Sequence, residues 1–115
     1  MAREARHLSV SIERPADEAY AFLSLPENFR RWASWMAEAP EVRLTEPNRF
    51  GVLDHAATLR GSPVYVPLRV VAKQGGCELV LTLVRRPEAT EAQHAADAEW
   101  VMRDLVAAKR LLERA

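Results

Sequence analysis

"LSVSIERPADEAYAFLSLPENFRRW", residues 8–32, decides how this chain folds. It opens with alternation. Leu8, Val10 and Ile12 fall on one side, and His7, Ser9, Ser11 and Glu13 on the other, which is the period of a half-buried strand. Pro15 then starts a helix: its fixed φ suits a first helical turn, and Asp17 and Glu18 suit the positive end. Ala19, Phe22 and Leu23 give that helix one apolar face. Pro26 and Glu27 repeat the device for a second short helix, in which Phe29, Trp32, Trp35 and Met36 recur at helical spacing. Arg30 and Arg31 form its solvated back.

Beyond residue 40 the period becomes that of strands. "EVRLTE" (41–46) alternates, "PNR" turns, and "FGVLDHAATL" (50–59) is the next strand. "RGSP" turns again, "VYVPLRVVAK" (64–73) follows, and a glycine hairpin leads into "CELVLTLVRR" (77–86). Pro67 inside a strand pattern argues for a bulge, an edge or a position whose N–H needs no partner. From about Thr90 the period changes to helical. Ala98, Val101, Met102, Leu105, Ala108 and Leu112 line one face of a long helix ending near Glu113. The expected class is α+β: five antiparallel strands in one curved sheet, gripping a long C-terminal helix, with two short helices after the first strand.

The opening stretch and the ending "DAEWVMRDLVAAKRLLE" (97–113) resemble the first and last segments of START-like, SRPBCC-type (helix-grip) proteins. The resemblance covers nearly the whole chain, taken as a single domain over 1–115, and is one of order and spacing. It implies an apolar cavity between sheet and last helix. It also implies three kinds of function: hydrophobic-ligand binding, polyketide cyclase or dehydratase-like catalysis, and co-chaperone-like protein interaction.

Composition narrows the field. Net charge is zero, and lysine occurs only at Lys73 and Lys109, so there is neither a basic field nor a reading motif for nucleic acid. No apolar run approaches the ~20 residues of a membrane span. "MAREARHLSV" lacks the apolar core of a signal peptide. One cysteine, Cys77, cannot form an internal disulfide, and a cytoplasmic location is expected. No metal or other cofactor is expected, because the three histidines and one cysteine lack ligand spacing. Cys77 has no evident activating neighbour.

The turns suggest a register. A Gly75-Gly76 turn sets Lys73 against Glu78, Val70 against Leu81 and Leu68 against Leu83. A turn through Gly61 and Ser62 sets His55 against Leu68 and Asp54 against Arg69. His55 then points inward among apolar residues, and Asp54 outward to Arg69, with Arg43 beside it if "PNR" is tight. The expected ligand wall is Leu53, His55, Val66, Leu68, Leu81 and Leu83 from the sheet, Val101 and Leu105 from the last helix, and Trp32 and Trp35 as plug, wall or gate.

His55 is the candidate acid–base residue, with Asp97 or His94 as candidate second groups; otherwise it is a buried neutral histidine bonded to a carbonyl. His94 is expected at the surface, Asp104 solvated or beside a neighbouring cation, and Arg85 at the pocket rim or in water. The leading reading is a binder of a small hydrophobic molecule of aromatic or lipid-like class. The alternatives are a cyclase/dehydratase-like enzyme using His55, and an interaction module, with a homodimer among the expected assemblies. A pocket binder should show a continuous cavity of at least ~300 Å³; a filled core, with no void beyond one or two waters, would sink both pocket readings and leave the interaction module.

Overall fold

The computed structural model describes residues 3–39, 41–59 and 61–114. Its elements run β1 (Ala5–Ile12), α1 (Ala16–Leu23), α2 (Pro26–Trp32), a 3-10 turn (Ser34–Met36), β2 (Val42–Leu44), β3 (His55–Leu59), β4 (Ser62–Val66), β5 (Leu68–Lys73), β6 (Gly76–Val84) and α3 (Glu91–Arg114). The class is α+β, as expected. The strands form two antiparallel three-stranded sheets, β1-β6-β5 and β2-β3-β4.

Pro67 accounts for the difference from five strands in one sheet. The segment 64–73 divides there into β4, which pairs with β3, and β5, which pairs with β6. Proline has no N–H to give a ladder. The chain bends at that residue, although the Pro67 carbonyl still accepts Thr82 N–H at 3.0 Å. Asp54 fastens the bend from inside. Its carboxylate accepts Leu68 N–H (2.9 Å), Arg69 Nε and NH2 (2.8 and 2.9 Å) and Tyr65 O–H (2.8 Å). Those donors lie on both sides of Pro67. The Arg69 guanidinium holds the Asp54 carboxyl far below the usual carboxylate range. The Asp54–Arg69 pairing expected from sequence is therefore present, but Asp54 is buried instead of lying on an outer surface.

Two registers differ from expectation, each by two residues. Lys73 pairs with Gly76, so Val70 lies opposite Leu79 and Leu68 opposite Leu81. Gly76 is a strand residue for a steric reason: a Cβ there would lie 2.1 Å from the Ile12 carbonyl oxygen. Leu59 pairs with Ser62 and His55 with Val66, with Gly61 at φ 81° in the turn. Arg60 of that turn lies outside the described residues. A two-residue slip keeps every side chain on its face. The inward row Cys77, Leu79, Leu81 and Leu83 is accordingly buried, and Lys73 and Glu78 still pair, now diagonally.

The "PNR" turn is not tight. Asn48 organises a loop there, with Oδ1 accepting Phe50 N–H (3.0 Å) and Val52 N–H (3.1 Å) and its own N–H donating to Tyr20 Oη (2.8 Å). The strand expected over 50–59 consequently begins at His55, and Val52 makes only an isolated bridge to Arg69. Arg43 lies opposite Ala56, exposed, and not beside Asp54.

The long helix begins with a capping box: Thr90 Oγ1 accepts Gln93 N–H (3.1 Å) and Gln93 Oε1 accepts Thr90 N–H (2.8 Å). Its far end is tied to β1, where Lys109 Nζ donates to the Ser11 carbonyl at 2.6 Å. Between these ties Ala98, Val101, Leu105, Ala108 and Leu112 are buried as expected, and Met102 is half-buried.

Candidate functional site

The second helix does not run through Met36. It stops at Trp32 because Ala33 leaves helical geometry (φ −85°, ψ 63°), and the Ser34–Met36 turn follows. That break turns Trp35 and Met36 inward beside Trp32, and all three are buried. Asp104 of α3 pins the turn. Its Oδ2 accepts Trp35 N–H at 2.7 Å and its Oδ1 accepts Ser34 Oγ–H at 2.5 Å. Ser34 Oγ in turn accepts Trp100 Nε1–H at 2.9 Å. Asp104 is thus neither solvated nor paired with a cation, since it is 6% exposed. Burial pushes its carboxyl pKa up. The signal for this role was present in the sequence: Asp104 lies on the helix face that carries Val101, Leu105 and Ala108.

His55 points inward, 4% exposed, between Leu44 and Val66 on its neighbouring strands. Phe29 sits edge-on to both His55 (ring centres 4.9 Å apart) and Trp32 (5.2 Å). His55 Nδ1 faces the Leu53 carbonyl at 3.2 Å, so Nδ1 carries the proton and Nε2 is an acceptor. Burial lowers the His55 pKa, which keeps the ring neutral near pH 7. Trp32 is 3% exposed, and its Nε1–H has no hydrogen-bond partner among the described residues.

The remaining wall residues expected from sequence, Leu53, Val66, Leu68, Leu81, Leu83, Val101 and Leu105, are buried in one core with Trp32 and Trp35. They pack against one another. The space enclosed by Trp32, Trp35, Met36, His55, Leu81, Val101 and Asp104 is about 10 Å³, room for about one water. Larger spaces lie outside it, and one of them adjoins it. A cleft of about 410 Å³ runs between α2, the Ser34–Met36 turn and β2, with Phe29, Ala33, Met36, Val42 and Leu44 in its walls and Arg30 and Glu41 at its polar margin. Ala33 and Met36 belong to both linings and form the partition between cleft and void.

The candidate acid–base pairs do not form. Asp97 bonds to Arg86 Nε at 2.8 Å, with Arg86 held also by Glu88, and no carboxylate or hydroxyl among the described residues bonds to His55. His94 is not at the surface: it is 0% exposed, and neither ring nitrogen has a hydrogen-bond partner among the described residues. Its place in the first turn suggested exposure, but α3 directs this position into the fold. Arg85 is half-buried, donating to the Ala89 carbonyl (3.0 Å) and close to Glu4 (3.5 Å). Cys77 is buried, and burial raises its thiol pKa. No group of three or more metal-ligating side chains occurs among the described residues, and no described helix is long and apolar enough to cross a membrane.

Neither a model of any known protein family nor any curated protein sequence matches this chain. Solved structures do. The AHSA1-like protein of Rhizobium etli superposes with a TM-score of 0.68 at 17% identity, over 95% of this chain and 81% of that one. The Aha1 dimer of Colwellia psychrerythraea gives 0.69 at 11% identity, over 96% of each chain. The fold is the SRPBCC, helix-grip fold. DynU16, from the dynemicin biosynthetic locus, shares the helix-grip fold with a TM-score of 0.64 at 14% identity, over 95% of this chain but 47% of its own. Identities this low speak to fold alone. Within it, the Ser34–Met36 turn and Trp32 occupy the space between sheet and α3 that the resemblance assigns to a ligand.

Proposed function

We propose that this chain binds a small, largely apolar molecule in the cleft between α2 and β2. The observation that carries the reading is the cleft itself. Its volume, about 410 Å³, lies within the range of small-molecule sites, and Phe29, Ala33, Met36, Val42 and Leu44 give it an apolar floor beside a polar margin. An enclosed pocket between sheet and α3 is not available at about 10 Å³, so the ligand's body belongs in the cleft and only its inner end belongs near Trp32 and His55. Met36, in the partition, is unbranched and adaptable, and its rotation joins the two spaces at low cost. Catalysis by His55 is the weaker reading, because the ring has a carbonyl as its partner and no carboxylate or hydroxyl among the described residues bonds to it.

The test is a propylbenzene titration followed by tryptophan fluorescence, on the wild type and on Ala37→Trp. Ala37 lines the cleft, is exposed and has helical φ/ψ, so the indole fits sterically and fills the cleft from its rim. Saturable binding weakened at least ~10-fold by the variant supports the reading. No saturable binding, or binding indifferent to Ala37→Trp, removes it.

A second reading, association with another protein or a second copy, is favoured by Phe50, which stands 71% exposed on the Asn48 loop. The similarity to an Aha1 dimer is consistent with it. Sedimentation of the wild type and Phe50→Ser separates the cases: a self-associating species lost in the variant supports it, and a monomer in both removes the second copy.

A further inference from the structure

Resting on the cleft-binding reading, we infer that the ligand carries a neutral hydroxyl, as an alcohol or a phenol, which enters the inner void and bonds to both Trp32 and His55. Three observations carry this. Trp32 Nε1–H is buried without a partner among the described residues, a costly state for a donor. His55 lines the same void and, with Nδ1 committed to the Leu53 carbonyl, offers Nε2 as an acceptor that no described residue uses. Phe29 holds both rings edge-on, so the donor and the acceptor are fixed by one packed aromatic cluster. The void itself, about 10 Å³, admits about one oxygen-sized group and no more.

A hydroxyl is the group that answers both at once. Its oxygen accepts from Trp32, and its proton goes to His55 Nε2. A carbonyl can accept from Trp32 but leaves His55 without a donor. A carboxylate is disfavoured more strongly. Among the described residues no lysine or arginine lines the void, and Asp104 does, so an anion there has a carboxylate as neighbour and no described cation. A purely apolar group gives the indole N–H no acceptor. Discrimination by hydrogen bonding is steep when the protein's own polar groups stay unpaired with the wrong ligand.

The experiment compares three probes of one shape: 4-propylphenol, propylbenzene and 4-propylbenzoate. Dissociation constants are measured by calorimetry on the wild type and on Trp32→Phe. The phenol is expected to bind the wild type at least ~10-fold more tightly than propylbenzene, and the benzoate more weakly than either. Trp32→Phe should reduce the phenol's advantage several-fold while leaving propylbenzene within about twofold. The comparison among probes on the wild type needs no variant, so it stands even if Trp32→Phe folds poorly. If propylbenzene binds as tightly as the phenol, the hydroxyl assignment falls and cleft binding survives. An equal loss for both probes in Trp32→Phe overturns it in the same way, marking the indole as packing only. If none of the three binds, the cleft-binding reading fails and takes this assignment with it.

Discussion

Removing the Asp104 carboxylate should release the Ser34–Met36 turn, and the cost can be worked from its partners. In Asp104→Ala the Trp35 N–H, now bonded at 2.7 Å, loses its acceptor in a buried setting. An orphaned buried donor costs about 1–3 kcal/mol. Ser34 Oγ, on a more exposed residue, can turn to water and keeps the Trp100 indole as donor, so its loss is smaller. Against this, the wild type bears the expense of burying a carboxylate, shown by the raised pKa. A net loss of about 2 kcal/mol is expected for Asp104→Ala. Asp104→Asn keeps an oxygen for Trp35 N–H and carries no charge, so its loss should stay below about 1 kcal/mol.

The signs with pH follow. The folded state holds the Asp104 proton to higher pH than the unfolded chain, so wild-type stability falls as pH rises above 3.8 toward the raised value. Asp104→Asn lacks that contribution. Urea denaturation followed by circular dichroism, at pH 4 to 7, measures each of these differences. Equal losses in the alanine and asparagine variants would refute the reasoning, because the acceptor oxygen would then carry no weight. A loss under about 0.5 kcal/mol for alanine would refute it as well.

Three further outcomes are expected. Asp54→Ala leaves Leu68 N–H, Tyr65 O–H and Arg69 without their shared acceptor at the Pro67 bend, and should cost about 3–5 kcal/mol by urea denaturation. In His55→Phe the stability of the protein should depend less on pH below 6.5. The lowered pKa means the unfolded chain takes up the proton first as pH falls through 6.5, so the wild type loses at most about 1.4 kcal/mol per pH unit there and the variant loses correspondingly less. Gly76→Ala should cost about 3 kcal/mol, because its Cβ meets the Ile12 carbonyl, whereas Gly61→Ala, with open space around it, should cost only about 1 kcal/mol for its positive φ; paired thermal melts show whether that order holds.

Much of the fold was legible because periodicity and punctuation agreed. The alternation from Leu8 to Ile12, the starts of the two proline-led helices and the apolar stripe of α3 appear where the residues place them, although the second helix ends at Trp32. The inward and outward faces were also legible, since a slip of two residues preserves them. The exact pairings were not, because the decisive contact at Gly76 is with Ile12, a strand away in the fold and remote in sequence. Asp54 was read correctly as the partner of Arg69, yet its larger role at the Pro67 bend depends on backbone that only the folded chain brings together. The site was half legible. Trp32 and His55 could be singled out as rare residues on inward faces. The break at Ala33 could not, nor could the partner of Asp104, although its place on the buried face of α3 could; together they decide that the interior is filled and that open space lies in front of Met36.

The most direct measurement is the indole region of a ¹H–¹⁵N spectrum during titration with 4-propylphenol. The chain has three tryptophans, and Trp32→Phe assigns the resonance in question. The account predicts a saturable downfield shift of the Trp32 Hε1 signal as it gains a hydrogen bond, with the Trp100 signal, already bonded to Ser34, nearly still. A Trp32 signal unmoved at saturation, or all three indoles moving alike, would contradict it.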